Sequence, residues 1–138
     1  MASNNAAQAH TEADLNADIA AAQQDAAVAQ HAAAAAAQQA DAARVEVAAL
    51  STKLQVGQIT LADYHSQIAG YQKASDEMHS VIEHINQRES NYRTAIGYAT
   101  PAQAQQLGQA DQELDSARSD LLDSYSEMQQ ALAARPAA

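Results

Sequence analysis

The sequence contains no cysteine, no phenylalanine and no tryptophan among its 138 residues. The lack of Cys excludes disulfides, thiolate metal sites and thiol nucleophiles together. Five tyrosines are the only aromatic side chains. The four glycines lie scattered at Gly57, Gly70, Gly97 and Gly108, so there is no Gly-rich loop to cradle a phosphate. Basic residues are scarce as well: seven Lys and Arg stand against 17 Asp and Glu, for a net charge of −10. The charge is spread as −4 over residues 1–59, −2 over 60–99 and −4 over 100–138. No basic patch is present to neutralise nucleic-acid phosphates or to dock on anionic lipid. The longest purely apolar run is Ala32–Ala37, far short of the ~20 residues that cross a bilayer, so no transmembrane segment is expected. Residues 1–10 show neither a basic n-region nor an apolar h-region, so no signal peptide is expected. The expected location is the cytoplasm at synthesis, with later residence in a virion or another assembled particle.

Alanine is what the chain has in abundance, with 37 copies. A buried Ala contributes little more than one methyl, at roughly 0.8 kcal/mol per CH₂-sized group, so a compact globule of this composition would be under-filled. A thin seam between close helices is a better use of it, because Ala lets helix axes approach towards ~8 Å. The pattern points the same way. Leu15, Ile19, Ala22, Ala26, Ala29, Ala33, Ala36, Ala40, Ala43, Val47, Leu50 and Leu54 follow one another in alternating steps of four and three. That is a heptad seam with alanine at its centre.

Two breaks interrupt the helical pattern. At the first, Gly57 suits a left-handed C-cap, and Thr60 with Asp63 forms an acidic variant of the capping box. At the second, Gly97 ends a helix, and Thr100, Pro101 and Gln103 supply N-cap, first-turn proline and capping-box partner. Thr11 with Asp14 marks the first start, and Pro136 the last stop. The predicted organisation is a flexible head over 1–10, a three-helix bundle over 11–135 with helices near 12–55, 61–97 and 101–135, and a tail over 136–138. The fold class is all-α: an elongated antiparallel three-helix bundle or coiled coil with an Ala-rich seam, its short connections turning the chain up, down and up.

The second helix continues the 4–3 rhythm through Leu61, Tyr64, Ile68, Tyr71, Ser75, Met78, Ile82, Ile85, Glu89, Tyr92 and Ile96. These are large knobs to set against the alanines, with Ser75 and Glu89 as polar interruptions of the kind that fix register. The third carries Leu107, Leu114, Leu121 and Met128, with Ala110, Ala117, Ser124 and Ala131 between them. Leu122, Tyr125 and Leu132 widen its apolar face, either to touch both sibling helices or to receive another molecule.

Candidate chemistry is sparse. Asp76, His79 and Glu83 share a helical face, but a dimetal bundle site needs inward carboxylates from four helices. The acids Asp111, Glu113, Asp115, Asp120 and Asp123 read as a solvated face rather than a calcium loop. The remaining histidines lack the nucleophile-and-base company of a catalytic group. No catalytic, cofactor-binding or metal residue is assigned, and the expectation is a protein that is not an enzyme. The candidate partner-interface residues are Tyr98, in the second inter-helix turn, with Leu122, Tyr125 and Leu132; tyrosine is enriched at interfaces. The function expected is helical structural or assembly work, packing with copies of itself or with partner helices in a larger particle. In composition the chain resembles phage virion proteins and bacterial filament or secretion components. The alternatives are a soluble helical adaptor or chaperone, and a phasin-like granule-coating protein.

Overall fold

The computed structural model describes residues 12–133. They form three helices: α1 Glu12–Gln55, α2 Leu61–Ile96 and α3 Pro101–Ala133. The expected head over 1–10, the Thr11 cap and the stop at Pro136 lie outside the described residues. No strand occurs among the described residues, and the helices pack against one another.

Both connections follow from their cap residues. After α1, Gly57 takes φ +78°. Its N–H donates to the carbonyl of Leu54 at 3.2 Å while the N–H of Gln58 donates to that of Lys53 at 2.8 Å. This is a Schellman closure, which needs the left-handed conformation that glycine adopts without a Cβ penalty. The α2 start is a reciprocal capping box: Asp63 N–H donates to Thr60 Oγ1 at 3.1 Å, and Thr60 N–H donates to Asp63 Oδ2 at 3.3 Å. Thr100 and Gln103 do the same for α3, at 3.3 and 3.0 Å. The end of α2 differs from expectation. Gly97 has no positive φ; the N–H groups of Gly97, Tyr98 and Ala99 instead donate three residues back, to Thr94, Ala95 and Ile96. A tightened 3₁₀-type turn closes this helix.

The α1 seam is the buried face. From Leu15 to Leu50 every seam residue is buried, and Leu54 is partly so. All seven seam alanines are therefore covered by the chain itself. Long-range contacts divide the chain into two compact units. The first joins α1 up to His31 with Glu83–Arg118. Leu15, Ile19 and Ala22, Ala26 and Ala29 are its buried α1 residues, with Ile85, Tyr92, Leu107 and Leu114 as larger counterparts. The second joins Ala32–Ile82 with α3 from Ser119. There Val47, Leu50, Tyr64 and Ile68 form a cluster onto which Leu54, Ile59, Tyr71 and Leu132 pack.

The buried face of α2 departs from a simple heptad. Leu61 is exposed and Tyr71 only partly buried, whereas Ala74 and Ala95 are buried beside Ser75, Met78, Ile82, Ile85 and Tyr92. A helix of 3.6 residues per turn drifts by ~20° per heptad against a strict 3.5 repeat. A helix that touches two neighbours also buries more than one a/d row. On α3 the expected ladder is buried from Leu107 through Ala110, Leu114, Ala117, Leu121 and Ser124 to Met128, and Ala131 is only partly buried.

Candidate functional site

The polar side chains of α2 supply most of the chemistry that links the helices. In the first unit, Glu89 occupies a seam position and is 1% exposed. Its Oε2 accepts from Arg93 Nη2 at 2.8 Å and from Arg118 Nη1 at 3.1 Å. Arg118 also donates to Asn86 Oδ1 at 3.0 Å and to Asp115, and Arg93 Nε donates to Asp111 Oδ2 at 3.3 Å. Burial raises the Glu89 carboxyl above its usual value; Arg118 and Arg93 oppose that rise, while Asp111 and Asp115 add to it. Two buried oxygens of this cluster, Glu89 Oε1 and Asp111 Oδ1, have no hydrogen-bond partner. Close by, Tyr92 donates to Asp25 on α1, and Arg88 Nε lies 3.4 Å from the same carboxylate. Burial, followed by the hydrogen bond to Asp25, pushes the Tyr92 hydroxyl up from its usual value. Gln103 Nε2 donates to Asn16 Oδ1 at 3.2 Å, so the residue that caps α3 also ties it to α1.

In the second unit Tyr71 donates to Glu46, and Gln129 Nε2 donates to Ser75 Oγ. Ser75 is a small polar residue in a seam of large ones, and a cavity of about 480 Å³ opens beside it. Gln72, Ser75, Asp76, Gln129, Leu132 and Ala133 line this cavity. A hydroxyl, two amides and one carboxylate make it a wet polar notch, with neither a cation nor a paired acid and base. Among the described residues no group of three or more His, Asp or Glu is placed to hold a metal ion. None of their helices is long and apolar enough to cross a membrane.

The four candidate interface residues fall in different settings. Tyr98 is exposed in the turn between α2 and α3. Leu122 is 47% exposed. Tyr125 is partly buried, its ring 5.8 Å from that of His79 on α2 and tilted by 39°. Leu132 packs on the Val47–Leu50–Tyr64–Ile68 cluster. The strip Leu122, Tyr125 and Leu132 thus belongs to a longer row along α3. It starts at Asp111 and steps four and three through Asp115, Arg118 and Gln129. Asp111, Arg118, Tyr125 and Gln129 each reach a residue of α2. The row is an α2-facing flank, and within it Leu122 is the large apolar member left open.

The Glu89–Arg118 pair was missed by sequence reasoning, although its signal was present. Glu89 stood out as a polar interruption, and Arg118 sits on the flank that the apolar strip continues. Compared with known proteins, the chain matches no family model, no curated protein and no solved structure.

Proposed function

We propose that this chain is a non-catalytic helical structural or assembly protein, one that packs with copies of itself or with partner helices in a larger particle. The observation that carries this reading is the set of aliphatic side chains that α1 and its closing turn leave open. Its seam is already covered, yet Val28, Val45 and Val56 remain 61%, 68% and 64% exposed. A surface helix that packs in one direction needs apolar residues on one side only. Open aliphatic residues on its other side support the assembly reading without forming a contiguous patch. The three helices run up, down and up as a coiled-coil-like bundle. In its support, Tyr71 of α2 donates to Glu46 of α1, and Val47 and Leu50 share one buried cluster with Tyr64 and Ile68. Static light scattering with negative-stain imaging of the purified full chain tests the reading. Oligomers, rings or filaments are expected, and a single-chain species at every concentration would count against self-packing.

The adaptor reading has one observation of its own, the half-exposed Leu122 on the α3 flank. It is the weaker of the two, because Tyr125 and Leu132 on that strip are engaged within the chain.

A further inference from the structure

Glu89 is a carboxyl at a seam position, 1% exposed, and the two arginines that reach it each hold a second acid. Arg93 donates from Nη2 to Glu89 Oε2 at 2.8 Å and from Nε to Asp111 Oδ2 at 3.3 Å. Arg118 donates from Nη1 to the same Oε2 at 3.1 Å and from Nη2 to Asp115. Three carboxylates thus share two guanidiniums, and one acid is in excess. The excess shows in the hydrogen bonding. Glu89 Oε1 and Asp111 Oδ1 are both buried and accept from nothing, where buried oxygens nearly always find a donor.

We infer that Glu89 is a proton-binding site through which acidity exchanges the partners of two arginines. Ionised, Glu89 draws Arg93 and Arg118 inward; protonated, it releases Arg93 to Asp111 and Arg118 to Asp115. The count of charges favours this exchange, because one proton removes the excess acid and leaves two one-to-one ion pairs. The proton settles on a Glu89 oxygen, where it turns a buried acceptor without a partner into a donor. Both outer pairs already exist, and Arg93 and Asp115 stand 57% and 51% exposed, so side-chain rotation alone completes the change. The charges that act on Glu89 come from two helices. Burial is the chief force raising its carboxyl; Arg118 of α3 opposes the rise, Asp111 and Asp115 of α3 add to it, and Arg93 of α2 opposes it. The α1 acids Asp18 and Asp25 act on Tyr92 instead, and Asp25 is held there by Tyr92 and Arg88. A group whose carboxyl is raised on folding binds its proton more tightly folded than unfolded, so acidification towards 4.5 firms the α2–α3 contact. The device is independent of the assembly reading and lies wholly within the first unit.

Carboxyl and arginine side-chain NMR of the full chain reads both halves of the exchange, titrating from about pH 7.5 to about pH 3.5 to bracket the ordinary and raised carboxyl range. Glu89 is expected to take its proton above 4.5, and the Nε–H signals of Arg93 and Arg118 should shift with the same midpoint. In Glu89→Gln that shared step should vanish, leaving both arginine signals where the wild-type chain puts them once Glu89 is protonated. Any step that survives in this variant belongs to Asp111 and Asp115. Asp111→Asn, made outside the seam, gives a second test that does not alter the buried carboxyl. It removes a charge that raises Glu89, so the Glu89 midpoint should move down towards 4.5, with the Arg118 step following it. Circular dichroism should show unchanged helix in both variants. A Glu89 midpoint at or below 4.5 would overturn the proton site. Arginine signals that stay still while Glu89 titrates would overturn the exchange of partners.

Discussion

Arg118 on α3 donates to Glu89 on α2 at 3.1 Å, and Glu89 is buried at a seam position where a heptad pattern calls for an aliphatic residue. A buried carboxylate is costly unless its charge is matched, and the match comes from a half-buried arginine that also bonds Asn86 and Asp115. The pair links α2 to α3.

Removing the arginine should therefore cost more than a surface change. Arg118→Ala leaves Glu89 with Arg93 alone, and the loss expected is on the order of 1.5–3 kcal/mol, the range for hydrogen bonds to charged groups. Glu89→Gln made in the Arg118→Ala background should recover part of that loss, because the carboxylate then no longer has to ionise in a buried place. Chemical denaturation of the four chains of this cycle measures the coupling. Additive effects of the two substitutions would show that the pair does not act as a unit.

The raised Glu89 carboxyl gives a pH dependence of definite sign. Its value is higher folded than unfolded, so the stability it contributes is complete below the ordinary value of 4.5 and is lost as pH rises through the raised value. Compared with Glu89→Gln, the wild-type chain should be relatively more stable near pH 4 than at pH 7. Thermal melts of both proteins across that range check it. A constant difference between the two melting temperatures would mean that Glu89 titrates as it does in the unfolded chain.

Two buried tyrosines on α2 should respond oppositely to loss of the hydroxyl. Tyr92 donates to Asp25, and Tyr92→Phe should destabilise by about 0.5–1.5 kcal/mol. Tyr64 is equally buried, but its hydroxyl has no hydrogen-bond partner. Tyr64→Phe should be neutral or slightly stabilising, since an unsatisfied polar atom is removed from the interior. Denaturant midpoints of the two single variants decide the matter.

The seam and the caps were legible because each rests on local spacing. Leu15 to Leu54 announced their face by alternating steps of four and three, and Thr60 with Asp63 and Thr100 with Gln103 declared the helix starts. The α2 face was harder. Ala74 and Ala95 replaced Leu61 and Tyr71 in the buried set because the helix drifts against a 3.5 repeat and touches two neighbours, neither of which is visible in one helix alone. Glu89 with Arg118 and Tyr92 with Asp25 depend on how separate helices are aligned, which single-helix periodicity does not encode.

Two glycines test the account of the helix ends and interiors. Gly70 lies exposed within α2, and a Cβ built there meets nothing within 4 Å. Gly70→Ala should stabilise by about 1 kcal/mol through helix propensity. Gly57 also has open space around it, but its φ of +78° holds the Schellman turn. Gly57→Ala should therefore destabilise by roughly 1 kcal/mol or more despite the available room, because the left-handed conformation penalises a Cβ.

The alanine seam makes the strictest claim about packing. Ala26 and Ala40 are fully covered, whereas Ala34 on the same helix is exposed. If large residues of α2 and α3 already fill the space above the seam, leucine at a seam position has nowhere to go without moving a helix. Ala26→Leu and Ala40→Leu should each cost about 1–3 kcal/mol from overpacking. Ala34→Leu should stay within about 0.5 kcal/mol of wild type, as surface substitutions do. Thermal denaturation of the three variants at equal concentration makes the comparison. Stabilisation by leucine at Ala26 or Ala40 would reveal unfilled space above the seam, and with it room for packing that this chain does not itself supply.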